Sequence, residues 1–354
     1  MGLKIEKYVK TQLCIVSCLY LSNIMVGYSL GWNGVIVPKL MDPHQTPLSD
    51  TISLLDASWL GSSAFIGLII GSPITSHLAT VIGRKKCLFI ASSLLLIANF
   101  MLTFATSFRV IIIGRIVNGL GVSIADALNM VYIGEIASSN IRGILLSLTG
   151  VFLSLGNLLI FSSGPFVSYA VVGYIILPFC VVVLIGYCFL PESPLYYVIK
   201  GDEEEAKKIL RKLGRDKDIE NELSRLTKLV EEQKNDRSCN TLFAVKSNRK
   251  ALVITSVLYV IQESNGMIYI LYYVTTIFAT AASSVDPRLA TVLIGLTNTC
   301  TISMVPIFVE RAGRRMLLLF STAGCFLCTT SLGIYIFTSP LRARILQYQY
   351  HGFL

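Results

Sequence analysis

Nine stretches of predominantly apolar residues take up most of this 354-residue chain and leave little room for a soluble fold. They cover residues 12–38, 57–78, 87–106, 110–134, 143–163, 170–190, 251–279, 289–309 and 316–338. Each reaches the length of about 20 residues that a helix needs to cross the hydrocarbon of a bilayer. Backbone amides find no water there, so such segments must satisfy them internally as helices. With 53% hydrophobic and 14% charged residues, the composition departs from the roughly 25% charge of an ordinary soluble domain. The first stretch is too long for a cleaved leader and lacks a small-residue cleavage site after it, so it should persist as a helix.

Six stretches precede a polar segment and three follow it. The expected organisation is therefore a six-helix transmembrane part over 1–190, a cytoplasmic segment over 191–250 and a partial second set over 251–354. Within the polar segment Ala206, Ile209, Leu210 and Leu213 recur at helical spacing, as do Ile219, Leu223, Leu226 and Val230. Glu203 and Glu204 stand four residues before Lys207 and Lys208, the favourable order for pairs along a helix. Two short amphipathic helices against the cytoplasmic face are expected, with a solvated charged linker as the alternative.

With the N-terminus in the cytoplasm, 24 of the 30 Lys and Arg fall on the cytoplasmic side, against four (Lys39, Arg109, Arg115, Arg288) in the outer connections. The net charge of +9 is then a signal of orientation in the lipid bilayer rather than of a nucleic-acid partner. The nine cysteines suggest neither disulfides nor a metal site, since eight lie in or beside apolar spans and Cys239 lies in the cytoplasmic segment. Cys325 and Cys328 have CxxC spacing but no second ligand pair, so no metal and no cofactor is expected. The three histidines, His44, His77 and His351, are scattered, and no nucleophile set points to an enzyme.

A short basic turn occurs twice. Ile82-Gly83-Arg84-Lys85-Lys86 joins the second and third stretches, and Val309-Glu310-Arg311-Ala312-Gly313-Arg314-Arg315 joins the last two. A repeat at corresponding places marks a duplicated architecture, the plan by which many transporters frame a central site. Arg84 and Lys85 should meet Glu135 and Arg142 at a cytoplasmic helix end, forming a charge network that holds in one conformation and breaks in the other. Basic residues serving only as topology anchors are the alternative.

Gly114-Arg115, Gly119 and Gly121, then Tyr132-Ile133-Gly134-Glu135-Ile136-Ala137, Arg142-Gly143 and Pro191-Glu192-Ser193-Pro194 follow in order. Together with the two Gly-Arg turns they resemble the sugar porter family of the major facilitator superfamily. Gly27-Tyr28-Ser29-Leu30-Gly31-Trp32 and Ser58-Trp59-Leu60-Gly61-Ser62 resemble its animal facilitative branch and, more loosely, insect trehalose-transporter-like proteins. The resemblance implies an all-α membrane protein of the major facilitator fold, with a complete N-terminal half and three helices of the C-terminal half. It also implies facilitated diffusion of a hexose or trehalose-like sugar by alternating access in the plasma membrane. Proton-coupled members carry an acid where this chain has Ser29, so coupling through that position is not expected. The resemblance adds Glu192, Glu310, Arg314 and Arg315 to the gating network, although the Asp that usually precedes the first turn is missing from Leu78-Ala79-Thr80-Val81.

By the same resemblance, Gln262, Glu263, Tyr272, Tyr273 and Asn298 are the expected sugar-binding positions. An amide offers a sugar hydroxyl both a donor and an acceptor. The second of two expected glutamines is Glu263, an expected asparagine is Ile268, and the fifth span offers Thr149 and Gly150 where a glutamine is usual. Recognition of the usual hexose should be altered. Asp126 and Glu263 are acids within spans, each costing about 2.5 to 3.5 kcal/mol at the bilayer centre unless paired or protonated. Glu263 is expected to be a substrate ligand or a proton-sensitive group, the alternative being that both acids face a water-filled cavity.

Six spans before the cytoplasmic segment call for six after it, and three are present. A C-terminally truncated form of a carrier is expected, leaving the second basic turn without the partner that the resemblance assigns to a tenth span. The alternative function is a non-transporting sugar-binding paralogue, a sensor or an inactive fragment.

Overall fold

The computed structural model describes residues 7–213, 219–235, 246–264, 266 and 286–338. Among them, eight helices are long and apolar enough to cross a membrane: Gln12–Met41, Leu54–Val81, Arg84–Thr103, Phe108–Ile136, Ile141–Phe166, Tyr169–Phe189, Pro287–Phe308 and Arg315–Tyr335. They correspond to eight of the nine expected spans. The remaining one, 251–279, enters the described residues only as far as Ser264.

The first six helices are α1 (Lys7–Met41), α2 (Leu54–Val81), α3 (Arg84–Thr103), α4 (Phe108–Ile136), α5 (Ser139–Ser163) and α6 (Tyr169–Phe189). They form one bundle in which α2 and α3 pack on α4, while α5 and α6 pack on α1. Small residues make this closeness possible, because apolar side chains alone gain little from leaving lipid and contact must come from backbone approach. A methyl group at Gly67 would collide with the Ile116 carbonyl, and one at Gly119 with the Ala64 carbonyl. Gly27 and Gly156 meet the carbonyls of Leu153 and Ile24 in the same way across α1 and α5. The outer faces remain apolar and open: Ile69 is 73% and Phe189 83% exposed.

Three helices rather than two follow: α7 (Pro194–Lys200), α8 (Glu203–Lys212) and α9 (Ile219–Asn235). The extra one, α7, begins inside the Pro191–Pro194 signature, with Ser193 capping it and Pro194 in its first turn. The predicted apolar positions of the other two are the buried ones: Ala206, Ile209, Leu210, Leu213, Leu223 and Val230. Ile209 and Leu213 join the transmembrane core itself. The expected four-residue charge pairs of α8 form instead at three-residue spacing, Lys207 to Glu204 at 3.5 Å and Lys208 to Glu205 at 3.0 Å. A long lysine reaches either neighbour on a helix surface, and these pairs are solvated.

One buried residue fastens this helical unit to the bundle. Gln12 of α1 donates through Nε2 to the Leu213 carbonyl at 3.2 Å, while its Oε1 accepts from the Ser138 N–H at 3.2 Å and hydroxyl at 3.1 Å.

The remaining helices are α10 (Lys246–Ser264), α11 (Pro287–Ala312) and α12 (Arg314–Thr338). α11 packs on α5 and carries α12 beside it, while α10 has no buried residue. The two basic turns share one backbone shape. Gly83 has φ 97° and ψ 163°, and Gly313 has φ 76° and ψ 154°, a region open essentially to glycine alone.

Candidate functional site

At the end of the bundle where α2 leads into α3, Arg84 opens α3 and Glu135 lies in the last turn of α4. The guanidinium donates to Glu135 Oε1 through Nε at 3.2 Å and Nη2 at 3.0 Å, and through Nη1 to the Ala79 carbonyl at 3.1 Å. The two side chains are only 7% and 12% exposed. Glu192 occupies the mouth of the turn. Its carboxylate accepts from the backbone N–H groups of Arg84 at 2.9 Å and Lys85 at 3.1 Å, which are unpaired donors of a helix start where negative charge is favoured. A side chain at Gly83 would strike Glu192 Oε2. Lys85 Nζ donates to the Cys188 carbonyl at 2.8 Å, and the Tyr132 hydroxyl to the Pro191 carbonyl. Arg142 is held apart from this cluster: its Nη2 donates to the Ala137 carbonyl at 3.1 Å. Among the described residues, Arg142 Nε and Glu135 Oε2 are buried without a hydrogen-bond partner.

A buried polar seam runs between α1 and α4 above this cluster. Arg115, counted above with the outer connections, lies inside α4 at 1% exposure; its Nη1 donates to the Ser29 carbonyl at 3.1 Å and its guanidinium sits 5.0 Å from the Trp32 ring centre. Asn118 Nδ2 donates to the Ser29 hydroxyl at 3.2 Å. Further along, Asn129 Nδ2 donates to Asn23 Oδ1 at 2.9 Å and Ser22 Oγ at 3.3 Å, while Tyr187 donates to Asn129 Oδ1 at 3.3 Å. Asn33 is 1% exposed with neither amide atom partnered, and Asn157 of α5 keeps an unpartnered Oδ1. The sequence reading missed Asn157; an amide in the apolar run Leu155–Phe161 was the available signal.

The expected sugar-binding positions fare unevenly. Tyr272 and Tyr273 lie outside the described residues. Gln262 and Glu263 are exposed on α10, and the Glu263 carbonyl accepts from the Gly266 N–H at 3.3 Å. Asn298 on α11 is half-buried, and its neighbour Thr299 donates to the Ser154 carbonyl of α5 at 3.2 Å. Gly150 faces Ile302 of α11, and Phe161 faces Gly295. Asn157, one turn beyond Ser154, turns instead toward α1, with its Oδ1 against Gly31. In the second basic turn Glu310 lies in the last turn of α11, Arg314 starts α12, and Arg315 is exposed.

The family described as sugar (and other) transporter matches residues 13–348 of this chain. The chain belongs to that family. It is a multi-pass membrane protein of a transporter family, not an enzyme. The facilitated trehalose transporter Tret1 of Polypedilum vanderplanki is 29% identical over 93% of this chain and 66% of its own length. Tret1 of Anopheles gambiae is 27% identical over 93% of this chain and 42% of its own length. The chain thus spans less than two thirds of either relative. In fold it is similar to the proton:xylose symporter XylE bound to 6-bromo-6-deoxy-D-glucose, with a TM-score of 0.73 at 23% identity over 85% of this chain and 70% of that one. A partially occluded inward-open XylE from E. coli gives a TM-score of 0.66 at 24% identity, covering 86% and 75%. The major facilitator architecture is therefore established.

Proposed function

We propose that the protein carries a sugar, a hexose or a trehalose-like disaccharide, across the plasma membrane by facilitated alternating access, with its N-terminus in the cytoplasm. The observation that carries this reading is half-buried Asn298 on α11, the helix that packs on α5. An amide there offers a ligand rich in hydroxyls both a donor and an acceptor. Gln262, Glu263, Tyr272 and Tyr273 complete the proposed binding set, and Arg84, Lys85, Glu135, Arg142, Glu192, Glu310, Arg314 and Arg315 the proposed gate. Ser29 supplies no carboxylate beside Arg115, which favours a carrier without proton coupling at that position. The test is uptake of labelled trehalose and glucose into liposomes holding the full protein, with and without a proton gradient. Saturable counterflow indifferent to the gradient is expected. Binding without counterflow overturns the carrier reading in favour of a sensor.

A further inference from the structure

Asp126 stands in mid-helix on α4 and belongs to none of the networks above. Its side chain is exposed, and it makes no hydrogen bond or ion pair with any described residue. Three arginines of the bundle are engaged elsewhere: Arg84 on Glu135, Arg115 on the Ser29 carbonyl, Arg142 on the Ala137 carbonyl. One turn outward on the same face, Ser123 is 8% exposed and donates to the Leu68 carbonyl of α2. Asp126 lies one turn further along α4, followed by Met130 at 50% exposure. A carboxylate here is neither inside the six-helix bundle nor able to rest in hydrocarbon, so it must meet a water-filled cleft. Within a sugar carrier that cleft is the substrate pathway.

We infer that Asp126 is a substrate-binding residue of the first half, accepting charge-assisted hydrogen bonds from neighbouring hydroxyls of a polyhydroxylated ligand. The inference rests on the transport reading and deepens it. A carboxylate offers acceptors only, so it selects hydroxyl donors on the ligand. It also supplies recognition where Gly150, Glu263 and Ile268 replace expected amides.

The experiment is concentration-dependent uptake of trehalose and glucose by full-length wild type, Asp126→Asn and Asp126→Ala in liposomes, normalised to inserted protein. A rise in KM of about tenfold or more, with the maximal rate nearly kept, is expected from the loss of one charge-assisted hydrogen-bonding group. The near-isosteric Asn variant keeps the test valid should the Ala variant insert poorly. Wild-type uptake with KM unchanged within about twofold in the Asn variant overturns the inference alone. Wild-type vesicles that take up and bind no sugar overturn the transport reading and this inference with it. Preference for an amino sugar that disappears in Asp126→Asn assigns cation recognition and overturns the hydroxyl assignment.

Discussion

Arg84 and Glu135 meet at 3.0 Å with 7% and 12% of their side chains exposed, joining the first residue of α3 to the last turn of α4. Removing one partner strands the other. Glu135→Ala should destabilise the protein by about 3–5 kcal/mol, because a buried guanidinium loses its counter-charge. The double replacement Arg84→Met with Glu135→Leu should recover much of that loss. Thermal unfolding of the purified protein in detergent, followed through the four-member mutant cycle, measures both.

Gly83→Ala combines a backbone conformation unsuited to alanine with a collision at Glu192. A loss of about 1–3 kcal/mol from the backbone alone is expected. Displacing the carboxylate should also free the first amides of α3, so hydrogen exchange at Arg84 and Lys85 should quicken. Unchanged exchange in Gly83→Ala removes Glu192 as their acceptor.

Gln12→Leu keeps the bulk and deletes three hydrogen bonds, leaving the Ser138 N–H and the Leu213 carbonyl unanswered. The expected cost is about 1–3 kcal/mol for each buried group left unpaired. The local consequence is loosened docking of α8, read as faster amide exchange across Glu203–Lys212 while α3 stays protected. Equal acceleration in both helices would show global destabilisation instead.

Gly119→Leu should prevent α2 from closing on α4, since the Ala64 backbone occupies the space. Failure to recover monodisperse protein is expected, whereas Gly134→Ala, with nothing within 4 Å of the added methyl, should be recovered normally.

The sequence disclosed what depends on composition along the chain. Helical periodicity foretold the buried faces of α8 and α9, and two opposite charges at cognate helix ends foretold Arg84 with Glu135. Contacts from side chain to distant backbone stayed hidden, because a carbonyl or an amide has no sequence identity. Arg115 answering the Ser29 carbonyl, Glu192 answering the amides of Arg84 and Lys85, and Gln12 answering Leu213 are all of this kind. Arg142 misled for the same reason: its partner is the Ala137 carbonyl, five residues back, rather than a carboxylate. Asn298 was reached through resemblance, whereas the place of Asn157, against Gly31 of α1, required the packing of α5 to be seen.

The two glycine turns share one backbone shape; Glu192 fills the first, whereas around Gly313 nothing among the described residues lies within 4 Å of an added Cβ. The bend is thus a property of the local chain and does not need Glu192 to impose it. It acts as a preformed receptacle: a carboxylate can leave and return without the receptacle collapsing, and each return finds the same two amides already aimed. Under the proposed alternating access, a contact made and broken in each cycle is best built on a part that does not itself rearrange.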